Sequence, residues 1–167
     1  MKSFTPAQHH ITIATPIGLL QVAGTEQAVT DIMFVEEAPT GPDSALSHLQ
    51  DCATQLEEYF DGRRKEFQDV LLSFESSPFS WMVWHKLRQI PFGRVSTYSG
   101  LAQEVGREKA VRAVGSACRR NRFIIIVPCH RIVPSTLRLG NYAGGVHRKQ
   151  WLLEHEERIS SGEWTKE

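Results

Sequence analysis

The sequence predicts an α/β (α+β) chain of two modules, a small antiparallel sheet with a helix followed by a mostly helical domain, and three observations carry that prediction. Short β-branched and apolar runs, separated by Pro and Gly turns, lead into a segment of helical period. At Ser76-Ser77-Pro78 the texture changes to short amphipathic helices. Charge changes with it: residues 86–149 carry 13 Lys and Arg against two acidic residues, a net of +11, whereas residues 1–85 carry 4 basic and 12 acidic residues, a net of −8. The overall charge of zero therefore hides an acidic first module and a basic second one, and the basic block calls for an anionic partner, nucleic acid above all.

The elements follow in order. Residues 11–15, 19–23 and 29–35 read as strands, with Pro16-Ile17-Gly18 and Gly24-Thr25-Glu26 as the turns between them. After the Pro39, Gly41, Pro42 loop, Leu46, Leu49, Ala53, Leu56 and Phe60 recur at helical spacing, so a helix is expected over 44–60 with Asp61-Gly62 as its stop. Residues 67–74 offer a further strand. Ser77 then suits an N-cap and Pro78 the first turn of a helix over 79–90, with Phe79, Met82, Val83 and Leu87 on one face. The domain boundary is placed there, giving 1–76 and 77–167.

In the second module Thr97 can cap a short helix over 98–105, which Gly106 ends, and a second helix is expected over 108–120 with Val111, Val114 and Cys118 inward. Two short helices joined by a glycine turn, the second basic, make a helix-turn-helix candidate. Residues 123–127 read as a short buried strand that delivers the chain to Pro128-Cys129-His130-Arg131. The loop Gly140-Asn141-Tyr142-Ala143-Gly144-Gly145 has little bulk, so backbone there can approach a flat ligand.

A final helix contains the most useful geometry. With Lys149 as origin on a 3.6-residue period, Leu152 falls at about −60°, Leu153 at about +40° and Glu156 at about −20°. Glu156 therefore lies on the leucine stripe, and a carboxylate there must find a partner, with His130 and Arg131 as candidates. A Glu156–His130–Cys129 chain could draw the proton from the thiol; a structural pairing of Glu156 with an arginine is the alternative.

Three cysteines without paired spacing, Cys52, Cys118 and Cys129, speak against a disulfide framework and for a reducing, cytoplasmic setting. No apolar stretch approaches a membrane span and no leader pattern opens the chain, so a soluble protein without membrane association is expected. Cys52, His9, His10 and His48 show no zinc-site spacing, and no metal is expected.

The run 127–133, Tyr142-Ala143-Gly144-Gly145, and Trp151-Leu152-Leu153 through Glu156 together resemble the 6-O-alkylguanine-DNA alkyltransferases, also called methylated-DNA-protein-cysteine methyltransferases. The resemblance covers residues 79–157 and, more loosely, Thr15-Pro16-Ile17-Gly18 and Tyr59-Phe60-Asp61-Gly62. It implies a ribonuclease-H-like first domain, a winged-helix-like second domain, and repair of duplex DNA by transfer of an alkyl group from O6 of guanine, or O4 of thymine, to Cys129. The protein would be consumed by the reaction and would need no cofactor.

Residue by residue, it implies that His130 and Glu156 activate Cys129 through a water, that Asn121 ties the recognition helix to the active-site turn, and that Tyr98 helps extrude the nucleotide and hydrogen-bonds the base. Arg112 would enter the duplex in its place. Thr97, Tyr98, Ala113, Gly115, Arg119, Arg120 and Arg122 would complete the DNA-binding set, on a helix that enters the minor groove. Tyr142, Ala143 and Gly144 would wall the base pocket, and carbonyls near Cys129 and Ile132 would read the guanine amino group. Arg122 stands where the family commonly has Pro, which adds positive charge on the DNA side. A monomer is expected, with cooperative binding along DNA left open. A sensor of alkylated DNA and a Cys-His-Glu thiol hydrolase are the competing readings; the first leaves the cysteine relay unexplained and the second the basic helix pair.

Overall fold

Strands β1 (His9–Thr15), β2 (Gly18–Gly24) and β3 (Val29–Val35) form an antiparallel meander in the order β1-β2-β3. In this computed structural model, which describes residues 9–162, the chain divides into two units, Met1–Phe74 and Glu75–Glu167. The first turn closes through the Thr15 hydroxyl, which donates to the Gly18 carbonyl at 2.7 Å and accepts from the Ile17 amide at 3.2 Å. Register runs from His9↔Gly24 to Thr15↔Gly18, with an irregularity at Ala23/Gly24 on the β3 side. Ile11, Ile13, Leu20, Val22 and Ile32 are buried, as the period-2 alternation requires.

Helix α1 (Ser47–Phe60) packs on β1 and β2 and buries Leu49, Cys52, Ala53, Leu56, Tyr59 and Phe60. It begins at 47, not 44, because Leu46 remains extended; the Ser44 amide before it donates to the His10 carbonyl at 2.8 Å. The expected strand over 67–74 is a single parallel bridge, Val29↔Leu72. Asp69 sits at φ 55° and Leu71 points to solvent, so the segment contributes Leu72 to the core and little else.

The second unit opens with α2 (Pro78–Leu87), where Ser77 accepts from the Ser80 amide at 3.2 Å and Pro78 fills the first position. Ser80, Val83, Trp84 and Leu87 are its buried residues, while Phe79 and Met82 are only half-buried. Trp84 belongs in the core because its indole N–H has a partner there, the Ala117 carbonyl at 2.9 Å.

Strand β4 (Ser96–Thr97) runs into α3 (Tyr98–Glu104), capped as expected by Thr97, whose hydroxyl accepts from the Gly100 amide at 3.0 Å. Gly106 at φ 69° ends the segment, and α4 (Val111–Arg119) follows. It starts three residues later than expected, since residues 107–110 close a turn of their own with the Ala110 amide on the Arg107 carbonyl. Val111 is 38% exposed and not inward; Val114, Ala117 and Cys118 are the core positions of α4.

Residues 123–127 are not a strand. Ile125 adopts φ 74° and the Val127 amide returns to the Phe123 carbonyl at 2.8 Å, so the run is a buried coil. An apolar stretch without alternation has no period to mark it as extended, and here all five side chains are buried whichever way the chain turns. One 3-10 turn, Cys129–Arg131, leads to β5 (Ile132–Val133), which pairs parallel with β4 through Ser96↔Ile132 and Thr97↔Val133. This pairing brings the start of α3 to the exit of the cysteine turn. The last helix, α5 (Val146–Ser160), buries Lys149, Leu152, His155 and Glu156. No helix among the described residues is long and apolar enough to cross a membrane, and the expected lack of a leader concerns residues 1–8, outside the described range.

Candidate active site

Cys129 is buried at the start of the 3-10 turn, and Asn121, at the end of α4, holds it. The Asn121 Nδ2 donates to the Val127 carbonyl at 2.7 Å and to Cys129 Sγ at 3.2 Å, while its Oδ1 accepts from the Phe123 amide at 2.9 Å. One buried amide thus staples the coil of residues 123–127 into shape and directs a donor at the sulfur. A donor there favours the thiolate over the thiol.

Behind the cysteine lies a buried ion cluster. His130 Nε2 is 2.8 Å from Glu156 Oε1. Arg131 grips both carboxylate oxygens, Nε to Oε2 at 2.9 Å and Nη2 to Oε1 at 2.9 Å, and its Nη1 donates to the Ile90 carbonyl at 2.7 Å. The Gly93 amide supplies a further donor to Oε2 at 3.0 Å. The helical-wheel position of Glu156 and its need for a partner are both met, and the histidine and the arginine share the carboxylate instead of competing for it.

The cluster sets protonation. Burial works to raise the Glu156 carboxyl, but the charge and hydrogen bond of His130 together with Arg131 outweigh it and hold the group well below the usual carboxylate range. Burial lowers His130, with Arg131 and Lys149 adding to the effect and Glu156 opposing it. An ionised carboxylate only accepts, so the neutral imidazole must carry its proton on Nε2. Its Nδ1, buried and with no hydrogen-bond partner, is then a base in waiting.

Burial pushes the Cys129 thiol up to about 11, against the Asn121 hydrogen bond and the Lys149 charge, which pull it down. The resting site is therefore a neutral thiol beside a neutral imidazole, and ionisation belongs to the reaction step. Cys52 and Cys118 are pushed higher, each to about 12, by burial.

Lys149 is the residue that the sequence reading passed over. Fully buried, it donates Nζ to the Ile132 carbonyl and, at 3.3 Å, to the Asn141 carbonyl. Burial lowers its own pKa, and Cys129 and Cys118 oppose that. The signal was available: Lys149 lies on the same stripe as Leu152 and Glu156, where a charge needs a partner as much as the carboxylate does. Lys149→Met is expected to leave both carbonyls without this donor and to raise the Cys129 thiol further, cutting its alkylation by a small thiol reagent about tenfold at fixed pH. A pH titration of that rate with the variant beside the parent checks it; superimposable profiles would remove Lys149 from the site.

A cleft of about 680 Å³ is lined by Tyr98, Arg112, Gly115 and Arg119 together with Pro134, Ser135 and Asn141. It gathers four of the expected DNA-facing residues from α3 and α4. Tyr98 is half-buried and its hydroxyl is raised, mainly by burial and then by Cys118 and Cys129, so it is a neutral donor at physiological pH. Ala113 is exposed on α4, and Thr97 serves as the α3 cap. Arg120 and Arg122 line a different cleft.

Tyr142 lies outside the lining of the larger cleft and sets its ring edge-on to His130, with centroids 6.4 Å apart; its hydroxyl is buried without a partner, and burial raises it well above the usual tyrosine range. Ala143 is exposed, and buried Gly144 gives its carbonyl to Arg148 at 3.0 Å. The Ile132 carbonyl, expected to read a base, already accepts from Lys149 and has one lone pair left to offer. Among the described residues no group of three or more His, Cys, Asp or Glu could hold a metal ion.

Comparison with known proteins covers both units. Residues 78–158 match the family model for the 6-O-methylguanine DNA methyltransferase DNA binding domain, and residues 9–74 match that for the 6-O-methylguanine DNA methyltransferase ribonuclease-like domain. The methylated-DNA–protein-cysteine methyltransferase of Mycolicibacterium paratuberculosis is 37% identical over 158 residues, 92% of this chain and 95% of that one. The constitutive enzyme of Bacillus subtilis with the same name is 36% identical over 160 residues, 91% of this chain and 96% of that one. Among solved structures, Mycobacterium tuberculosis OGT in complex with DNA superposes with a TM-score of 0.81 at 37% identity, covering 90% of this chain and 94% of that one.

Proposed function

The chain belongs to the 6-O-methylguanine DNA methyltransferase family, and on that footing we propose that Cys129 is the acceptor through which it repairs alkylated DNA. The reaction is direct transfer of an alkyl group from O6 of guanine to the protein. The observation that carries the assignment is one cysteine with the Asn121 amide on its sulfur and, next in sequence, a neutral imidazole with one nitrogen free and the other bonded to a buried carboxylate.

The alkylated oxygen is inaccessible in a stacked duplex, so the nucleotide must turn out of the helix before a thiolate can reach its alkyl carbon. Exposed Arg112 on α4 is suited to fill the gap, and the cleft beside Tyr98 is suited to take the base. The Cys129 proton passes to His130 Nδ1 through a water, and Glu156 stabilises the imidazolium that forms. Sulfur then attacks the alkyl carbon, the S–C bond forms as the C–O6 bond breaks, and guanine leaves with a developing negative charge that the Tyr98 hydroxyl stabilises by donating to it. A thioether is a poor leaving group, so each protein molecule acts once, as a monomer on one lesion. The boundary, expected at 76/77 from the sequence and lying at 74/75 between the two units, separates an N-terminal α/β domain from the C-terminal domain that carries DNA binding and the acceptor.

Incubation with a duplex carrying one 6-O-methylguanine, followed by intact mass and peptide mapping, tests this. The expected result is one methyl per protein, on Cys129. Multiple turnovers, or a methyl elsewhere, would overturn it.

A further inference from the structure

The alkyl-transfer site leaves unused a second recess, of about 450 Å³, at the far end of α4. Arg120, which caps that helix, and Arg122 line it with Glu75, Ser77 and Ser80 from the start of α2. Arg120 is exposed, and its guanidinium has no hydrogen bond or ion pair among the described residues. A cation at a helix C-terminus is favoured by the macrodipole, which accounts for Arg119 or Arg120. Arg122 stands in the loop beyond and lines the same recess.

Resting on the reading that α4 faces the duplex, we propose that this recess is a phosphate clamp, in which Arg120 and Arg122 hold a backbone phosphodiester of the DNA under repair, away from the lesion. Spacing supports it. Arg112 and Arg120 are eight residues apart on a continuous helical path, about 12 Å at 1.5 Å per residue. Successive phosphates of one strand advance about 3.4 Å along the duplex axis, so a backbone that follows α4 passes roughly three to four phosphates over that distance. Charge supports it too, since the recess belongs to the segment with a net of +11. Arg120 and Arg122 then act together on one phosphate, with the Ser77 and Ser80 hydroxyls lining the same recess. Glu75 is the opposing charge at the same recess and weakens the grip, which makes it an internal control.

The test is binding of the full chain to a fluorescent unmodified duplex over a salt series. Arg120→Ala with Arg122→Ala is expected to flatten the plot of log affinity against log salt by about one unit, the slope carried by the one phosphate that the pair neutralises. Glu75→Gln is expected to tighten binding two- to threefold at low salt. Melting temperatures close to that of the parent establish that the variants are folded. An unchanged slope for the double arginine variant, or weaker binding by Glu75→Gln, overturns the clamp. Methyl uptake by the parent protein from the methylated duplex is scored separately: its absence would sink the alkyl-transfer reading, whereas the salt slopes report on the clamp alone.

Discussion

Cys129→Ala is expected to take up no methyl from a 6-O-methylguanine duplex while binding that duplex as the parent does. The substitution deletes one buried atom, and Asn121 keeps its stronger bond to the Val127 carbonyl at 2.7 Å, so the active-site coil should hold its shape. A change of that size in a core costs about 1 kcal/mol. The residues proposed to face DNA, Tyr98, Arg112 and Arg119, lie on α3 and α4, outside the cysteine turn, and are untouched. Chemistry disappears because neither remaining thiol can substitute: burial pushes Cys52 and Cys118 to about 12, and neither has an imidazole as its chain neighbour. Intact mass gives the first readout and fluorescence anisotropy with the duplex the second. A methyl gained by the variant would end the assignment of Cys129 as acceptor.

Glu156→Gln is expected to carry the largest stability cost, about 3–5 kcal/mol, and to slow transfer by about two orders of magnitude. The neutral amide leaves the buried Arg131 guanidinium without its counter-charge and presents an N–H that cannot satisfy both His130 Nε2 and Arg131. Arg131→Met in the same chain removes the stranded charge, so the double variant should recover much of the stability and none of the rate. That separation distinguishes the packing role of the carboxylate from its role in orienting the imidazole.

pH sharpens the comparison. Folding depresses the Glu156 pKa, so its contribution is fully present above the unfolded carboxylate value of about 4.3 and is lost as pH falls through the folded value. The gap between parent and Glu156→Gln in urea unfolding should therefore be widest near neutrality and shrink in acid. His130 acts in the same direction: its folded pKa is lowered, so stability falls as pH drops below the ordinary histidine value of about 6.5. A gap that stays constant down to pH 3 would contradict the buried-pair account.

Periodicity carried the elements whose two faces differ. Strands β1 to β3 alternate, α1 and α5 repeat at helical spacing, and the Ser77 and Thr97 caps announce their helices; these were legible within a few residues. Residues 123–127 were not legible as coil, because five consecutive buried apolar side chains look alike whether the backbone is extended or turned. Val111 misled for a related reason. It sits on the first turn of α4 and is 38% exposed, since a helical period does not tell how far along a helix its apolar face is covered.

The site divides along the same line. From the sequence alone came the proposed nucleophile, its histidine, the carboxylate that had to be buried with them, and the basic second module, since all of these follow from residue type, spacing and the cost of burying charge. Only the tertiary structure decided that His130 and Arg131 share Glu156, that Asn121 reaches the sulfur, and that Lys149 occupies the Ile132 carbonyl. Those contacts join α4, the 3-10 turn and α5 across 8 to 26 residues of chain. A period reports which face of a helix is buried; it says nothing about what that face meets.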